Sequence, residues 1–243
     1  MKIDLLAFAA HPDDVELSCA GLLLVEKNNG KTTGIIDLTR GELGTRGTPE
    51  IRKQESAAAA KIVGVDIREN LYMADGFFKN DEAHQVKVIE TIRKYQPEII
   101  LCNAPADRHP DHGRGAKLVS DAAFLSGLSK IVTLSDGAQQ EPWRPKYVLH
   151  FIQDRYLKPD FVVDITEVFD RKLEAIRAYA SQFHNPGKMD GPETYISKPE
   201  FLESVISRFR MFGQMIGVRY AEGYISEKMI GLRTLDALIK ENT

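Results

Sequence analysis

Cysteine is nearly absent from this chain of 243 residues: Cys19 and Cys102 are the only two, both in apolar stretches, and no CxxC pair occurs. Two such thiols build no disulfide framework. They read as small buried hydrophobes in a reducing, cytoplasmic setting. An excess of one charge is lacking too. The 32 basic and 35 acidic side chains leave a formal net charge of −3, so there is no basic field to hold nucleic acid or an anionic membrane. Long hydrophobic runs are missing. No segment approaches a membrane span, and the N-terminus has no charged region leading into a long apolar core with a cleavage site. The first apolar run, Ile3–Ala10, reads as a strand. Glycine is absent from the turn that follows it, Ala9-Ala10-His11-Pro12-Asp13-Asp14. A dinucleotide site needs glycines there so that backbone amides reach a pyrophosphate, and two carboxylates repel phosphate. The turn is therefore not read as a nicotinamide or flavin site.

What is present is an alternation of apolar runs and helical patterns, the mark of βαβ units and a parallel sheet. Strands are expected at Ile3–Ala9, Thr32–Leu38, Glu69–Tyr72, Glu98–Cys102, Tyr147–Ile152 and Phe161–Val163. Helices are expected at Val15–Asn28, Pro49–Val63, Asp81–Tyr95 and from about Asp111 to Leu125. Gly30 and Gly64 sit where helices end, and Pro49 after Thr48 suits a first helical turn. The last third reads as helices at Ile165–Phe183 and Pro199–Ile216, a short strand at Val218–Tyr220, and an irregular tail. The fold class is α/β: a Rossmann-like, mostly parallel, doubly wound sheet with a C-terminal helical extension, residues 1–243 forming one domain. With the common strand order 3-2-1-4-5, the first and fourth strands meet at the switch point, where ligands bind.

That order matters because the two most informative clusters follow those two strands. They are His11-Pro12-Asp13-Asp14 and His109-Pro110-Asp111-His112. Asp and Pro after a strand are ordinary turn residues, but the same His-Pro-Asp core twice is not. Two imidazoles, one carboxylate ligand and one spare carboxylate match the inventory of a hydrolytic zinc site, in which three protein ligands leave room for water.

Ala10–Asp14 resembles the first signature of the LmbE/PIG-L family of zinc-dependent N-deacetylases, and His109–His112 resembles its second. Thr39-Arg40-Gly41-Glu42 with Gly44, then Arg52, Glu55 and the alanine run Ala57–Ala60, is similar to the loop and helix of that family. Ser181-Gln182-Phe183, Glu193-Thr194-Tyr195 and Phe212-Gly213 through Tyr220-Ala221-Glu222-Gly223 resemble the branch that deacetylates N-acetylglucosaminyl-malate in bacillithiol biosynthesis. The resemblance implies one Zn²⁺ per chain on His11, Asp14 and His112, with Fe²⁺ or another divalent metal able to share such ligands. It implies Asp13 as general base, His109 as oxyanion stabiliser held by Asp111, and Arg52, Arg108 and Tyr195 as substrate-binding residues. Arg52 is expected to clamp the malate carboxylate. His84, His150 and His184 receive no role. The loop Gly41–Gly47 and the segment His184–Lys198 are expected to rim the pocket.

The implied activity is hydrolysis of the acetamide of a small N-acetylglucosaminide, giving acetate and a free amine. The partner is a small N-acetylated sugar conjugate, and the implied assembly is a homo-oligomer, a hexamer being one form. Two alternatives stand: deacetylation of N-acetylated chito-oligosaccharides or another sugar conjugate, and a zinc-binding protein without turnover.

Overall fold

The computed structural model describes residues 1–183 and 191–236. Its centre is built from the apolar runs. β1 (Leu5–Ala9) and β2 (Thr33–Thr39) are buried along their whole length, as parallel strands covered on both faces must be. Between them lie α1 (Asp14–Ser18) and α2 (Ala20–Asn28). Then come α3 (Pro49–Val63), β3 (Ile67–Met73), α4 (Glu82–Tyr95), β4 (Ile99–Cys102) and α5 (Pro110–Leu125). Local chemistry sets these limits. Thr48 accepts a hydrogen bond from the amide of Ile51, Pro49 opens α3, and Gly64 closes it with φ of 79°. Asp81 caps α4 through the amide of His84.

A small hairpin, β5 (Leu134–Ser135) and β6 (Ala138–Gln139), leads to β7 (Tyr147–Phe151) and β8 (Phe161–Asp164). The chain closes with α6 (Phe169–Arg177), α7 (Pro199–Met215) and β9 (Ala221–Ser226). The seven-stranded sheet has the order β3-β2-β1-β4-β7-β9-β8. β1 pairs in parallel with both β2 and β4, so the switch point lies where the sequence puts it. Alternate residues of β1 enter separate cores. Leu5, Ala7 and Ala9 join side chains of α2, α3, α6 and α7, whereas Leu6 and Phe8 join those of α4 and α5. No helix among the described residues is long and apolar enough to cross a membrane.

Three expectations are corrected. The helix expected over Val15–Asn28 is broken at Cys19 (φ −132°). The break frees the amides of Gly21 and Leu22 at the start of α2, and both donate to the Glu222 carboxylate at 2.8 Å. A Cβ on Gly21 would stand 2.6 Å from Glu222 Oε1, so only glycine permits this approach. The last strand is β9 at Ala221–Ser226 and not Val218–Tyr220. It runs antiparallel to both β7 and β8. Its buried Glu222 and its glycine hide it from a search for apolar runs. The helix expected over Ile165–Phe183 is a 3-10 turn, Thr166–Val168, followed by the shorter α6.

Candidate metal centre and active site

The turn after β1 and the N-terminus of α5 meet at the switch point. His109 is the N-cap of α5, and His112 stands in its first turn. The His11 ring centroid lies 4.6 Å from that of His109 and 5.6 Å from that of His112, and the last two are 5.3 Å apart. Residues a hundred positions apart in sequence thus form one cluster. It borders a cavity of about 340 Å³, at the lower end of the size range for small-molecule sites.

Asp14 lies between the two rings of the implied ligand set. Its Oδ2 is 3.6 Å from Nδ1 of His11 and its Oδ1 is 3.2 Å from Nε2 of His112. The opposite nitrogens are anchored on carboxylates. Nε2 of His11 is 3.0 Å from Asp75 and 3.3 Å from Asp111, and Nδ1 of His112 is 2.6 Å from Asp107. Carboxylates on the outer nitrogens are the usual support of metal-ligating histidines, so this donor set fits a divalent ion. The Asp14 carboxylate is itself oriented by the Gln153 amide (2.6 Å), the Asn103 amide (3.1 Å) and the backbone amide of His11 (3.0 Å). The groups whose ligating atoms all lie within 4.8 Å of one another among the described residues are His11, His109 and His112, and His11, Asp75 and Asp111; Asp14 belongs to neither. In the second, Asp111 does not line the cavity and already accepts from Arg114 at 2.6 Å and from the Gly76 amide at 2.8 Å.

Charge is strongly coupled here. Burial raises the Asp14 carboxyl, but His112 and His11 outweigh it and hold it well below the usual carboxylate range. Burial opposes a proton on His112, yet Asp14 and Asp107 lift it to about 9. His109 is shifted the other way, lowered by burial and by the neighbouring His11 and His112.

Asp13 occupies the strained corner of the turn, with φ of 113° and ψ of −24°, and its side chain does not cap α1. It points instead to Arg52, whose Nη2 donates to Oδ2 at 2.9 Å and also to the Pro12 carbonyl. Nη1 of Arg52 donates to Gln182 at 3.1 Å. Burial pushes the Asp13 carboxyl up to about 7, against the downward pull of Arg52. Gly41 allows the guanidinium in, since a Cβ there would stand 2.9 Å from Arg52 Cζ.

Two expected roles are therefore revised by the contacts. Arg52 lines the cavity, but its fork is taken up by Asp13, Pro12 and Gln182, so it braces the carboxylate expected to act as base. Asp111 does not hold His109 by its carboxylate. It binds His11, Arg114 and Gly76, and only its backbone amide donates to Nδ1 of His109, at 3.3 Å. Tyr195 and Arg108 stand on the cavity wall and share Asp154. Arg108 Nε donates to it at 2.7 Å, the Tyr195 hydroxyl donates at 3.0 Å, and the guanidinium lies 4.3 Å from the Tyr195 ring centroid. Gly41, Leu43, Gly44, Thr45 and Arg46 of the first expected rim loop line the cavity, as do Thr194–Ile196 of the second. Residues 184–190 of that segment lie outside the described residues.

Sequence reasoning missed Asp75, Asn103, Asp107, Gln153 and Arg208. The first three had a signal, since each is a polar side chain near the C-terminal end of β3 or β4. Gln153 follows β7 in the same way. Arg208 lies within α7 and reads as one more charged position on an amphipathic helix.

The chain is similar to several known proteins. The PIG-L profile, described as GlcNAc-PI de-N-acetylase, matches residues 6–123. A diacetylchitobiose deacetylase of Thermococcus kodakarensis is 28% identical over 90% of this chain and 80% of its own length. A probable N-acetyl-alpha-D-glucosaminyl L-malate deacetylase 2 of Bacillus subtilis is 27% identical over 75% of this chain and 84% of its own. The crystal structure of the conserved protein TT1542 from Thermus thermophilus superposes with a TM-score of 0.84 at 35% identity, covering 95% of this chain and 98% of that one. By these matches in sequence and fold, the chain belongs to the PIG-L/LmbE family of deacetylases and is a metal-dependent amide hydrolase.

Proposed function

We propose that this protein removes the acetyl group from a small N-acetylglucosaminide, with N-acetylglucosaminyl-malate as the substrate and glucosaminyl-malate and acetate as products, a step of bacillithiol biosynthesis. One observation carries the chemistry: two His-Pro-Asp turns converge so that Asp14 lies between His11 and His112 while Asp13, on the same turn, faces the cavity. His11, Asp14 and His112 would hold zinc. Zinc bound there supplies Lewis acidity and brings the pKa of a water from about 15.7 towards roughly 7.

The other roles belong to the chain. Asp13 takes the proton of the attacking water and returns it to the leaving nitrogen. Arg52 fixes the direction of that carboxylate. His109, neutral by its surroundings and 4.6 Å from the His11 ring, lines the cavity where it can donate to the oxygen of the tetrahedral intermediate. Arg108 and Tyr195 form the wall that meets the aglycone. The choice of a malate conjugate is supported by the Bacillus relative and by cationic side chains on that wall.

The Thermococcus relative supports a second substrate, N,N′-diacetylchitobiose. The test is acetate release by zinc-loaded protein from each compound, followed by mass spectrometry. The expected result is turnover of the malate conjugate at a kcat/KM at least tenfold above that of chitobiose. The reverse order would reassign the substrate, and bound zinc with no acetate from either would favour a binding protein.

A further inference from the structure

Four arginines line the cavity, and three of them are engaged. Arg46 donates to the carbonyls of Ser181 (2.9 Å) and Pro192 (3.4 Å), Arg52 to Asp13, Pro12 and Gln182, and Arg108 to Asp154. The fourth, Arg208, is different. Its Nε and Nη1 are buried and have no hydrogen-bond partner among the described residues, whereas Arg52, whose Nε is also unpartnered, has both terminal nitrogens engaged. Asp154, Asp107 and Tyr195 are near enough to act on its charge, but none accepts a hydrogen bond from it. A guanidinium carries five donors and is always charged, and each buried nitrogen left without an acceptor costs about 1–3 kcal/mol. The side chain sits on α7 beside Val205 and Phe201, which also line the cavity, so packing alone would be served by a methionine or leucine.

We infer that Arg208 is the specificity residue of this enzyme: it receives a carboxylate on the aglycone of the sugar substrate, at the part of the cavity walled by Arg108 and Tyr195. This rests on the reading of the site as a deacetylase of N-acetylglucosaminides. It adds what that reading leaves open, the residue that receives the aglycone carboxylate. Arginine matches a carboxylate with two parallel N–H donors. Asp154 takes up Arg108 and Tyr195, which leaves Arg208 as the cation open to a ligand on this wall; its charge repels a cationic aglycone and gives a neutral one no ion pair. The Asp107 carboxylate, bound to His112, links this wall to the metal motif.

The test compares wild type with Arg208→Met and Arg208→Lys, all zinc-loaded. Two substrates are used, N-acetylglucosaminyl-malate and its neutral dimethyl ester. Binding of the amine product, glucosaminyl-malate, is measured separately by calorimetry and needs no turnover. Arg208→Met should raise KM for the malate conjugate and Kd for the product by about tenfold or more, the range for losing a charge-assisted hydrogen bond. It should leave kcat within about threefold and the ester unaffected, since Arg208 does not touch the acetyl group. Arg208→Lys should recover part of the binding. The melting temperature of Arg208→Met should hold or rise, because two buried, unpartnered nitrogens are removed. Equal losses on both substrates, unchanged product binding, or a lowered melting temperature in Arg208→Met together with full function in Arg208→Lys would each overturn the inference. Failure of the deacetylase reading looks different: wild type would release acetate from neither substrate, while product binding would still report on Arg208.

Discussion

The Asp107 carboxylate lies 2.6 Å from Nδ1 of His112, and the His112 Nε2 faces Asp14 at 3.2 Å. One ring is thereby fixed from both sides. Asp107 also accepts from the backbone amide of Arg155, so it ties the start of α5 to the segment after β7. Asp107→Asn keeps the size and removes the charge. We expect zinc affinity to fall by roughly 10–100-fold, as for other carboxylates that support a ligating histidine. Chelator competition measures this. Unchanged affinity would mean that His112 is not a ligand.

Asp13→Asn should separate binding from chemistry. The amide cannot accept a proton at neutral pH, while the three implied ligands stay in place. Zinc should remain bound in stoichiometric amount, and kcat should drop by roughly 10² or more. Near-normal turnover with metal bound would remove Asp13 from the role of base.

Arg52→Ala should injure the reaction without selecting among substrates. Arg52 binds the Asp13 carboxylate and the Pro12 carbonyl, so its loss releases the turn. The expected fall in kcat is on the order of tenfold to a hundredfold, equal for the malate conjugate and for a neutral N-acetylglucosaminide. A loss confined to the malate conjugate would restore the expectation that Arg52 reads the aglycone.

Lys172 and Glu222 form an ion pair at 2.7 Å with both side chains fully buried. Lys172→Met leaves Glu222 uncompensated, and we expect a stability loss of about 3–5 kcal/mol in urea unfolding. Adding Glu222→Gln in that background should regain part of it, because Gly21 and Leu22 still find an acceptor. A loss below about 1 kcal/mol would mean that α6 is held by its apolar face alone.

His150 carries a pH signature away from the metal motifs. Burial opposes its proton, but the Cys102 sulfur at 3.3 Å, the Glu227 carboxylate at 3.0 Å and the Asn103 carbonyl at 2.8 Å raise it to about 11. A folded-state value above the unfolded 6.5 means stability that is fully present below pH 6.5 and declines as pH rises towards 11. Urea melts between pH 6 and 10 should show that decline. Glu227→Gln should flatten it, and an unaltered slope would assign the decline to other groups.

The order of strands one to four was legible in the sequence because the central strands of a parallel sheet are apolar on both faces; the ends were not, and half-buried β3 starts two residues before its expected limit. α3 was legible to the residue, since Thr48, Pro49 and Gly64 mark both of its limits. The break at Cys19 was not, because it serves Glu222, whose carboxylate takes the amide of Leu22 from 200 positions away. β9 escaped for the same reason: its buried carboxylate is matched by Lys172 and two amides that no local pattern reveals. In the site, the histidines and aspartates of the two motifs were readable from their chemistry. The directions of Arg52 and Asp111 were not, because which carboxylate an arginine or histidine reaches is decided by tertiary packing.

The φ of 113° at Asp13 puts a non-glycine residue where side chains sit under strain. Glycine would adopt that corner freely. The strain outlasts that option because glycine would also strip the buried Arg52 guanidinium of its carboxylate, a loss of about 3–5 kcal/mol against about 1–3 kcal/mol of strain relieved. Any programme to harden this enzyme therefore has to change position 13 and Arg52 together, and to screen such pairs for turnover.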